Sequence, residues 1–331
     1  MRIALDAMGT DLAPSAEVAG AVQAIAELDD DIHLVLVGNR SQIEAELEGT
    51  DVPQGRIVIH HAPERILPSD PPASAVRRKP DSSIAQGVGL HGAGEVDAFI
   101  SAGSTGAVMA ASLFILKPLP GVDRPSVATL LPTTGPPTVL LDAGTNVDCK
   151  PRHLVQFAHL GRVYMQDVLG VAEPRIGLLN IGEEPGKGDE RAVETFGLLE
   201  ADGVLDFVGN VEGREIIRGS CDVLVADGFV GNVLLKFYES VAQFIVNMLR
   251  EEVAKSGAKI NFEETFRVLD YSEYGGAPLL GVNGVTIICH GGSSPKAIRN
   301  AIQVAAQAVR SNMVKDMAEE LAAVHNGGPS E

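Results

Sequence analysis

Positive charge is in short supply: 26 lysines and arginines stand against 44 aspartates and glutamates, a formal charge of −18 over 331 residues. Nonspecific nucleic-acid binding rests on cations that neutralise phosphates, so that class is excluded and no nucleic-acid partner is expected. An acidic protein partner would have to meet a local basic patch. Cysteine is scarcer still. Cys149, Cys221 and Cys289 are far apart and odd in number, which excludes a disulfide framework and fits a reducing cytoplasm. No charged-then-apolar leader opens the chain, which starts MRIALDAMG, so the expected location is cytoplasmic. Internal repeats are absent, and the Pro-rich pieces SDPPAS (69–74) and PTTGPP (132–137) are too short to act as linkers between domains. One α/β domain is expected over 1–318, with a frayed tail over 319–331 that ends in the polar HNGGPSE.

One uncharged run, AFISAGSTGAVMAASLFIL at 98–116, is long enough on paper to cross a bilayer. Gly103, Gly106, Ser101, Ser104 and Thr105 break it, so FISAG is expected as a strand and STGAVMAASLFIL as the helix after it. Ser104 or Thr105 can cap that helix. The N–H groups of a first helical turn are unpaired and carry positive partial charge, which suits an anion such as phosphate.

What is present is aliphatic: 45% of residues are apolar and 21% charged, values that suit a soluble globular α/β protein. Short Val/Ile/Leu-rich runs recur as RIALDAM, HLVLVG, RIVIHH, DAFISAG, SVATLL, PTVLLDAG, RIGLLNIG, DVLVADG and VTIICHG. Runs apolar at nearly every position are strands buried on both faces. Stretches of helical period, such as 15–29, 152–168 and 189–202, lie between them. This alternation specifies a largely parallel sheet with helices on both sides. Six runs end in small polar loops: LDAMGTD, ISAGSTGA, LLDAGTN, LLNIGEEPGKGDE, LVADGFVGN and IICHGGSS. Ligands of open α/β sheets bind beyond the carboxyl ends of the strands, so six such loops on one edge would line a pocket with N–H groups and hydroxyls. Any one of them alone is equally well a tight turn.

At these loops the chain resembles the phosphate acyltransferase family of bacterial phospholipid synthesis. The resemblance runs from Met1 to about residue 311 and is carried by DAMGTDLAP (6–14), KPDSS (79–83), SAGSTGA (101–107), LLDAGTNVDCKPRHLVQFAHLG (140–161), LLNIGEEPGKGDE (178–190), FVGNVEGREI (207–216), DVLVADGFVGNVLLK (222–236) and YGGAPLLGVNGVTIICHG (274–291). The family usually has Gly-Asp-His where this chain has Thr10-Asp11-Leu12, and Asn where it has Ser104, so Leu12 removes an imidazole from that position. The resemblance implies a three-layer α/β/α sandwich related to phosphotransacetylases and isopropylmalate-type dehydrogenases. It also implies an enzyme that makes acyl phosphate from acyl-acyl carrier protein and inorganic phosphate, and a homodimer in peripheral contact with a membrane.

Attack of phosphate on a thioester needs a held dianion, donors for the developing oxyanion and a way to expel a thiolate, but no protein nucleophile. The absence of a Gly-x-Ser-x-Gly elbow therefore fits, and neither a metal nor a bound cofactor is expected. The candidate phosphate site combines Ser101, Gly103, Ser104, Thr105 and Gly106 with Lys187, the lone cation of EEPGKGDE; Lys187 could instead pair with Glu183, Glu184 or Asp189. His290 follows the strand VTIIC, where an imidazole could pass a proton to the thiolate, hydrogen-bond the carbonyl oxygen or serve only to hold its loop. With His290 the catalytic candidates are Asn232, Lys236 and Asp6; Asn180 and Asp227 are placed as further pocket residues. Asp6, Asn180, Asn232 and Asp227 each have the alternative of fixing loop geometry. Cys149 and Cys289 read as buried structural thiols.

Residues 232–255 form an amphipathic helix with apolar positions at 234, 237, 238, 241, 245, 248 and 249. It is expected to pack on the core or a partner subunit, with a membrane surface as runner-up, although KSGAKINFEETF after it offers only Lys255 and Lys259 to anionic lipid. Arg77, Arg78 and Lys79, the densest basic cluster, are the candidate carrier-protein patch or, equally, a solvated loop. Two other functions stay open. One is a phosphotransacetylase acting on acyl-coenzyme A, and the other is a non-catalytic anion-binding scaffold suggested by Thr10 and Leu12. A nicotinamide-dependent dehydrogenase lacks its Gly-x-Gly-x-x-Gly after the first strand.

Overall fold

The computed structural model describes residues 1–256 and 271–327. Its contacts gather into two compact units, one of Met1–Pro125 with Tyr274–Glu331 and one of Ser126–Glu273. The chain leaves the first unit at Pro125 and re-enters it at Tyr274, the last residue of a short 3-10 helix, Tyr271–Tyr274. The first stretch forms β1 (Arg2–Asp6), α1 (Ser15–Glu27), β2 (His33–Gly38), α2 (Arg40–Leu47), β3 (Ile57–His61), α3 (Pro72–Arg78), α4 (Ser83–Gly92), β4 (Ala98–Ser101) and α5 (Thr105–Ile115). The second unit contains β5 (Ser126–Val127), β6 (Thr129–Leu131), β7 (Thr138–Leu141), α6 (Pro151–Asp167), β8 (Arg175–Asn180), α7 (Glu190–Ala201), β9 (Asp206–Glu212), α8 (Gly213–Ile216), β10 (Val223–Val225) and α9 (Gly228–Ser256). The return stretch adds β11 (Ala277–Leu280), β12 (Val285–Ile288), α10 (Pro295–Arg310) and α11 (Met313–Gly327) to the first unit.

In the first unit the strands lie side by side as β3-β2-β1-β4-β12-β11, parallel except where β11 meets β12. Ile3, Leu5, Leu34, Leu36, Phe99 and Ile100 are fully buried, as strands covered on both faces require. Right-handed crossovers explain the covering: β1 to β2 to β3 steps one way along the sheet and β3 to β4 steps back, so α1 and α4 fall on opposite faces. Helix α10 packs beside α1, where Gly20 is needed because a Cβ there would lie 2.6 Å from the Cβ of Ile298. In α11, Met313, Met317 and Leu321 repeat every four residues and are all buried. That anchoring carries the helix past residue 319, where the sequence placed the start of a frayed tail; residues 328–331 lie outside the described residues.

The second unit has a five-stranded sheet in the order β6-β7-β10-β8-β9, with β6 antiparallel and the others parallel. Helices α6 and α7 follow steps in one direction and pack together, while α8 follows the step back from β9 to β10. The three-layer, largely parallel α/β architecture is thus as expected. Two strands were not expected. β9 is an edge strand with alternating burial rather than a solid apolar run, and β11 is short and carries Pro278.

Residues 98–116 form the strand β4 followed by the helix α5, as expected, and not a span. Helix α9, with 29 residues, is the one helix among the described residues long and apolar enough to cross a membrane by length and composition. The six polar loops do not share one sheet edge. Those after β1, β4 and β12, which are neighbours, lie on the carboxyl edge of the first sheet. Those after β7, β10 and β8 lie on the carboxyl edge of the second. Apolar runs reveal strands but not which sheet each joins, and the single edge expected from sequence is really two.

Candidate functional site

Asp6 is the hub of the first edge. At the end of β1 it is 1% exposed; its Oδ2 accepts the Ser101 hydroxyl at 2.7 Å and its Oδ1 accepts the Met8 N–H at 3.0 Å. The Ser101 Oγ in turn accepts the Gly103 N–H at 3.0 Å. Burial pushes the Asp6 carboxyl above its ordinary range, while bonds from Ser101, Ser83 and Met8 and the charge of Arg65 pull the other way. Asp6 and Ser101 are therefore brought together, with the carboxylate spent on shaping the loop that follows β4. Gly9 touches that loop so closely that a Cβ would lie 2.7 Å from Gly103 N.

Ser104 stands at the N-cap of α5, as expected, yet its hydroxyl makes no capping bond; Ala107 and Val108 N–H instead reach its carbonyl at 2.9 and 3.0 Å. Thr105 is the first helical residue and exposed, so neither hydroxyl caps the helix. Gly106 faces α3, where a Cβ would meet Pro72 at 2.7 Å, so its lack of a side chain has a packing cause. The loop after β12 carries His290, exposed, whose Nδ1 accepts the Gly292 N–H at 3.1 Å. In the neutral ring this places the proton on Nε2, which makes that nitrogen a hydrogen-bond donor. Asp11 N–H donates to the Gly291 carbonyl at 2.8 Å and so joins the loops after β1 and β12.

Two residues of this edge were not read from the sequence. Arg65 donates to the carbonyls of Gly9 and Thr10 at 3.2 and 2.9 Å. Glu17 is wholly buried, and its two oxygens accept the Thr10 N–H at 2.6 Å and the Thr10 hydroxyl at 2.8 Å. Its signal was legible: Glu17 shares a helical stripe with Ala21 and Ala24, so a charge falls on the core face of α1. Burial pushes its carboxyl up to about 7, with the Thr10 bonds opposing and Asp6 adding to the rise.

On the second edge the loops after β7 and β10 are packed backbone to backbone. Asp142, fully buried, accepts the Asn146 N–H at 2.6 Å and its side-chain amide at 2.9 Å. A Cβ on Gly228 would lie 2.8 Å from Asn146 N, and one on Gly231 would collide with the Asp142 carbonyl oxygen. Asp227 accepts the N–H groups of Phe229 and Val230 at 2.9 and 3.0 Å and pairs with Arg191 at 2.7 Å. It is spent on starting α9 and holding Arg191, a cation the sequence reading passed over although it directly follows the EEPGKGDE loop. Asn180 donates to the Lys187 carbonyl at 2.9 Å and to Asn210 at 3.0 Å, which fastens that loop to the sheet. Lys187 lies 3.9 Å from Glu184 with both side chains at least half exposed, a loose pair; Glu183 goes to Arg214 and Asp189 caps α7. Asn232 sits against Gly144, and Lys236, one turn on, pairs with Glu239 at 2.9 Å.

The basic cluster is partly neutralised. Lys79 binds Asp70 at 2.6 Å and holds that carboxyl below its usual range, while the Arg77 guanidinium stacks over the exposed Phe114 ring at 4.8 Å and Arg78 reaches Ser74. The three cysteines are buried and free, and burial pushes Cys149 up to about 11 and Cys221 and Cys289 up to about 12, so none is a ready thiolate. Among the described residues no group of three or more His, Cys, Asp or Glu is arranged to hold a metal ion.

Residues 1–316 match the family model described as "Fatty acid synthesis protein". A phosphate acyltransferase from Desulforamulus reducens is 48% identical over 328 residues, covering 97% of each chain. One from Geobacter sulfurreducens is 49% identical over 329 residues, covering 97% of this chain and 94% of its own. Among solved structures the EutD phosphotransacetylase from Staphylococcus aureus superposes with a TM-score of 0.63 at 16% identity, covering 93% of this chain and 94% of its own. A phosphotransacetylase from Streptococcus pyogenes gives 0.60 at 18%, covering 94% of each. At those identities the two structures speak for a shared fold.

Proposed function

This chain belongs to the fatty acid synthesis protein family, and on that footing we propose that it moves an acyl group from acyl carrier protein to inorganic phosphate. The observation that carries the reading is near-half identity to phosphate acyltransferases along almost the whole chain. An oxygen of hydrogen phosphate attacks the thioester carbonyl carbon, the C–O bond forms, the C–S bond breaks, and the electron pair leaves with sulfur, which ends with the proton that the phosphate gives up. The products are acyl phosphate and the free carrier thiol, and neither a metal nor a cofactor enters the balance.

Residue roles follow from chemistry. His290, with its proton on Nε2, donates a hydrogen bond to the thioester carbonyl oxygen as negative charge develops there, a role worth about 10²- to 10³-fold where such donors have been removed. Ser101, Gly103, Ser104, Thr105 and Gly106 form the phosphate loop, and Lys187 is the candidate cation for phosphate. Asn232 and Lys236 complete the catalytic set, and Asp6, Asn180 and Asp227 act by holding their loops. Arg77, Arg78 and Lys79 receive the acidic carrier; since Lys79 is already paired, the two arginines supply the attraction.

A homodimer in the cytoplasm fits the same reading. Val230, Val233, Phe237, Phe244 and Met248 make an exposed stripe along α9 at three-, four- and seven-residue spacings, with both phenylalanines 67% exposed. Peripheral membrane contact is the alternative cover for that stripe. Lys259, offered for lipid contact, lies outside the described residues. Light scattering distinguishes a dimer, and flotation with anionic liposomes tests the membrane.

The deciding experiment is hydroxylamine trapping with palmitoyl-acyl carrier protein and phosphate, against a phosphate-free control. Phosphate-dependent hydroxamate and free thiol are expected. Turnover only with acyl-coenzyme A would favour the phosphotransacetylase reading, and inertness with both would leave an anion-binding scaffold.

A further inference from the structure

The buried acid on α1 is unused by the chemistry above, and its geometry gives it work. Glu17 is fully enclosed, and both its oxygens are occupied by one residue, Thr10, through the backbone N–H at 2.6 Å and the hydroxyl at 2.8 Å. Thr10 is itself only 1% exposed. The carbonyls of Gly9 and Thr10 take the Arg65 guanidinium on the other side of the same turn. The loop after β1 is thus held between an anion and a cation. One residue later Asp11 N–H binds the Gly291 carbonyl, and Gly291 follows His290. Gly9 meanwhile abuts Gly103, so the clamped turn touches both neighbouring loops.

We propose that Glu17 is a positioning residue: by clamping Thr10 it fixes the loop after β1, and through the Asp11–Gly291 bond it sets the placement of the His290 loop. The inference rests on the reading of His290 as hydrogen-bond donor to the carbonyl oxygen. A carboxylate accepts both Thr10 bonds with its full charge, whereas a neutral carboxylic acid keeps only a neutral acceptor for the Thr10 N–H and reverses the bond with the hydroxyl, so the charge-assisted part of the clamp is lost. Since burial pushes Glu17 up to about 7, the clamp tightens as pH rises through neutrality. The ionisable groups around it are Asp6 on β1, Cys289 after β12 and Arg65 after β3; α10, packed on α1, sends Arg299 to Glu27 instead. The variants below separate the effect of Glu17 from that of His290.

The test compares T10V, T10S and E17Q in the full-length protein, each assayed for acyl phosphate formation against pH and for hydrogen exchange at the Asp11 amide. T10V deletes the hydroxyl donor at nearly constant volume and T10S keeps both donors. Loss of one hydrogen bond to a charged group is worth about tenfold, so T10V should lower kcat about tenfold, more than it changes KM for phosphate, and should speed exchange at Asp11. T10S should resemble the parent. E17Q can still bond Thr10 but cannot ionise, so it should lose the rise in kcat through neutral pH that the parent shows. T10V matching T10S in both kcat and exchange would overturn the clamp, as would an E17Q pH profile superimposable on the parent's. A parent that makes no acyl phosphate would sink the functional reading, while exchange at Asp11 would still judge the clamp by itself.

Discussion

Replacing Glu17 by glutamine is expected to change how stability depends on pH, and the structure supplies the magnitude. The folded carboxyl is pushed from its ordinary 4.5 up to about 7, chiefly by burial. A raised folded value means that the native protein binds its proton more tightly than the unfolded chain. The stabilising proton is fully present below pH 4.5 and is lost as pH climbs through about 7. Integrated between pH 5 and pH 8, that linkage costs the parent about 2.5 kcal/mol. Glutamine has nothing to lose over the same range: its Oε1 can accept the Thr10 N–H and its Nε2 can donate to the Thr10 hydroxyl oxygen. E17Q should therefore gain about 2.5 kcal/mol relative to the parent on going from pH 5 to pH 8. Asp6, also pushed up by burial, contributes with the same sign in both proteins and largely cancels in the difference. With no tryptophan and four tyrosines, far-UV circular dichroism in guanidinium is the practical readout, followed through the transition of the unit that contains α1. A stability difference that is flat in pH, or that shifts toward the parent between pH 5 and pH 8, would refute the argument.

Three other outcomes follow from named contacts. G231A places a Cβ against the Asp142 carbonyl oxygen, a backbone atom that cannot swing aside, so a loss of about 1–3 kcal/mol is expected in chemical denaturation; an unchanged midpoint would mean that the two loops are not packed as described. H290Q should keep the parent's stability, because the side chain is exposed, and lower kcat by about 10²- to 10³-fold; a normal turnover number removes His290 from the chemistry. K187A loses only a half-exposed pair with Glu184, worth about 0–1 kcal/mol, so stability should hold while KM for phosphate rises; an unchanged KM takes Lys187 out of the phosphate site.

How much of this was legible depended on which physical rule each residue obeyed. Strands such as Ile3–Leu5, Leu34–Leu36 and Phe99–Ile100 are buried on both faces, and a solid aliphatic run reports that directly. β9 is half exposed at a sheet edge and β11 runs through a proline, so neither carries the signal. Loop positions were legible for the same reason as the strands that precede them, but their assignment to two edges was not, since strand order is set by long-range pairing that no local pattern encodes. Among site residues, polar side chains in Gly-rich loops were readable as candidates while their partners were not. Asp6 needed Ser101, 95 positions away, to reveal that its carboxylate is used in holding a loop. Lys187 had three acidic neighbours in sequence and meets one of them loosely, because Asp189 is drawn off to cap α7 and Glu183 to Arg214.

Thr10 and Leu12, two of the three departures from the family pattern, diverge once their surroundings are known. Leu12 is 72% exposed and offers no group that could carry a proton, so the proposed donor has to come from elsewhere, and His290 is reached from the same loop through Asp11 and Gly291. Thr10 points the other way, into the core, where its hydroxyl bonds one oxygen of a buried acid whose other oxygen takes the Thr10 N–H. A glycine at position 10 would leave one oxygen of Glu17 buried without that bond, a cost of about 1–3 kcal/mol or more for a charged group. The threonine and the glutamate are therefore best understood as one feature, since each makes the other tolerable inside the fold. That a buried charge is kept beneath a loop at the proposed site, where an apolar pair would be cheaper, is the physical reason to look for its effect in turnover as well as in stability.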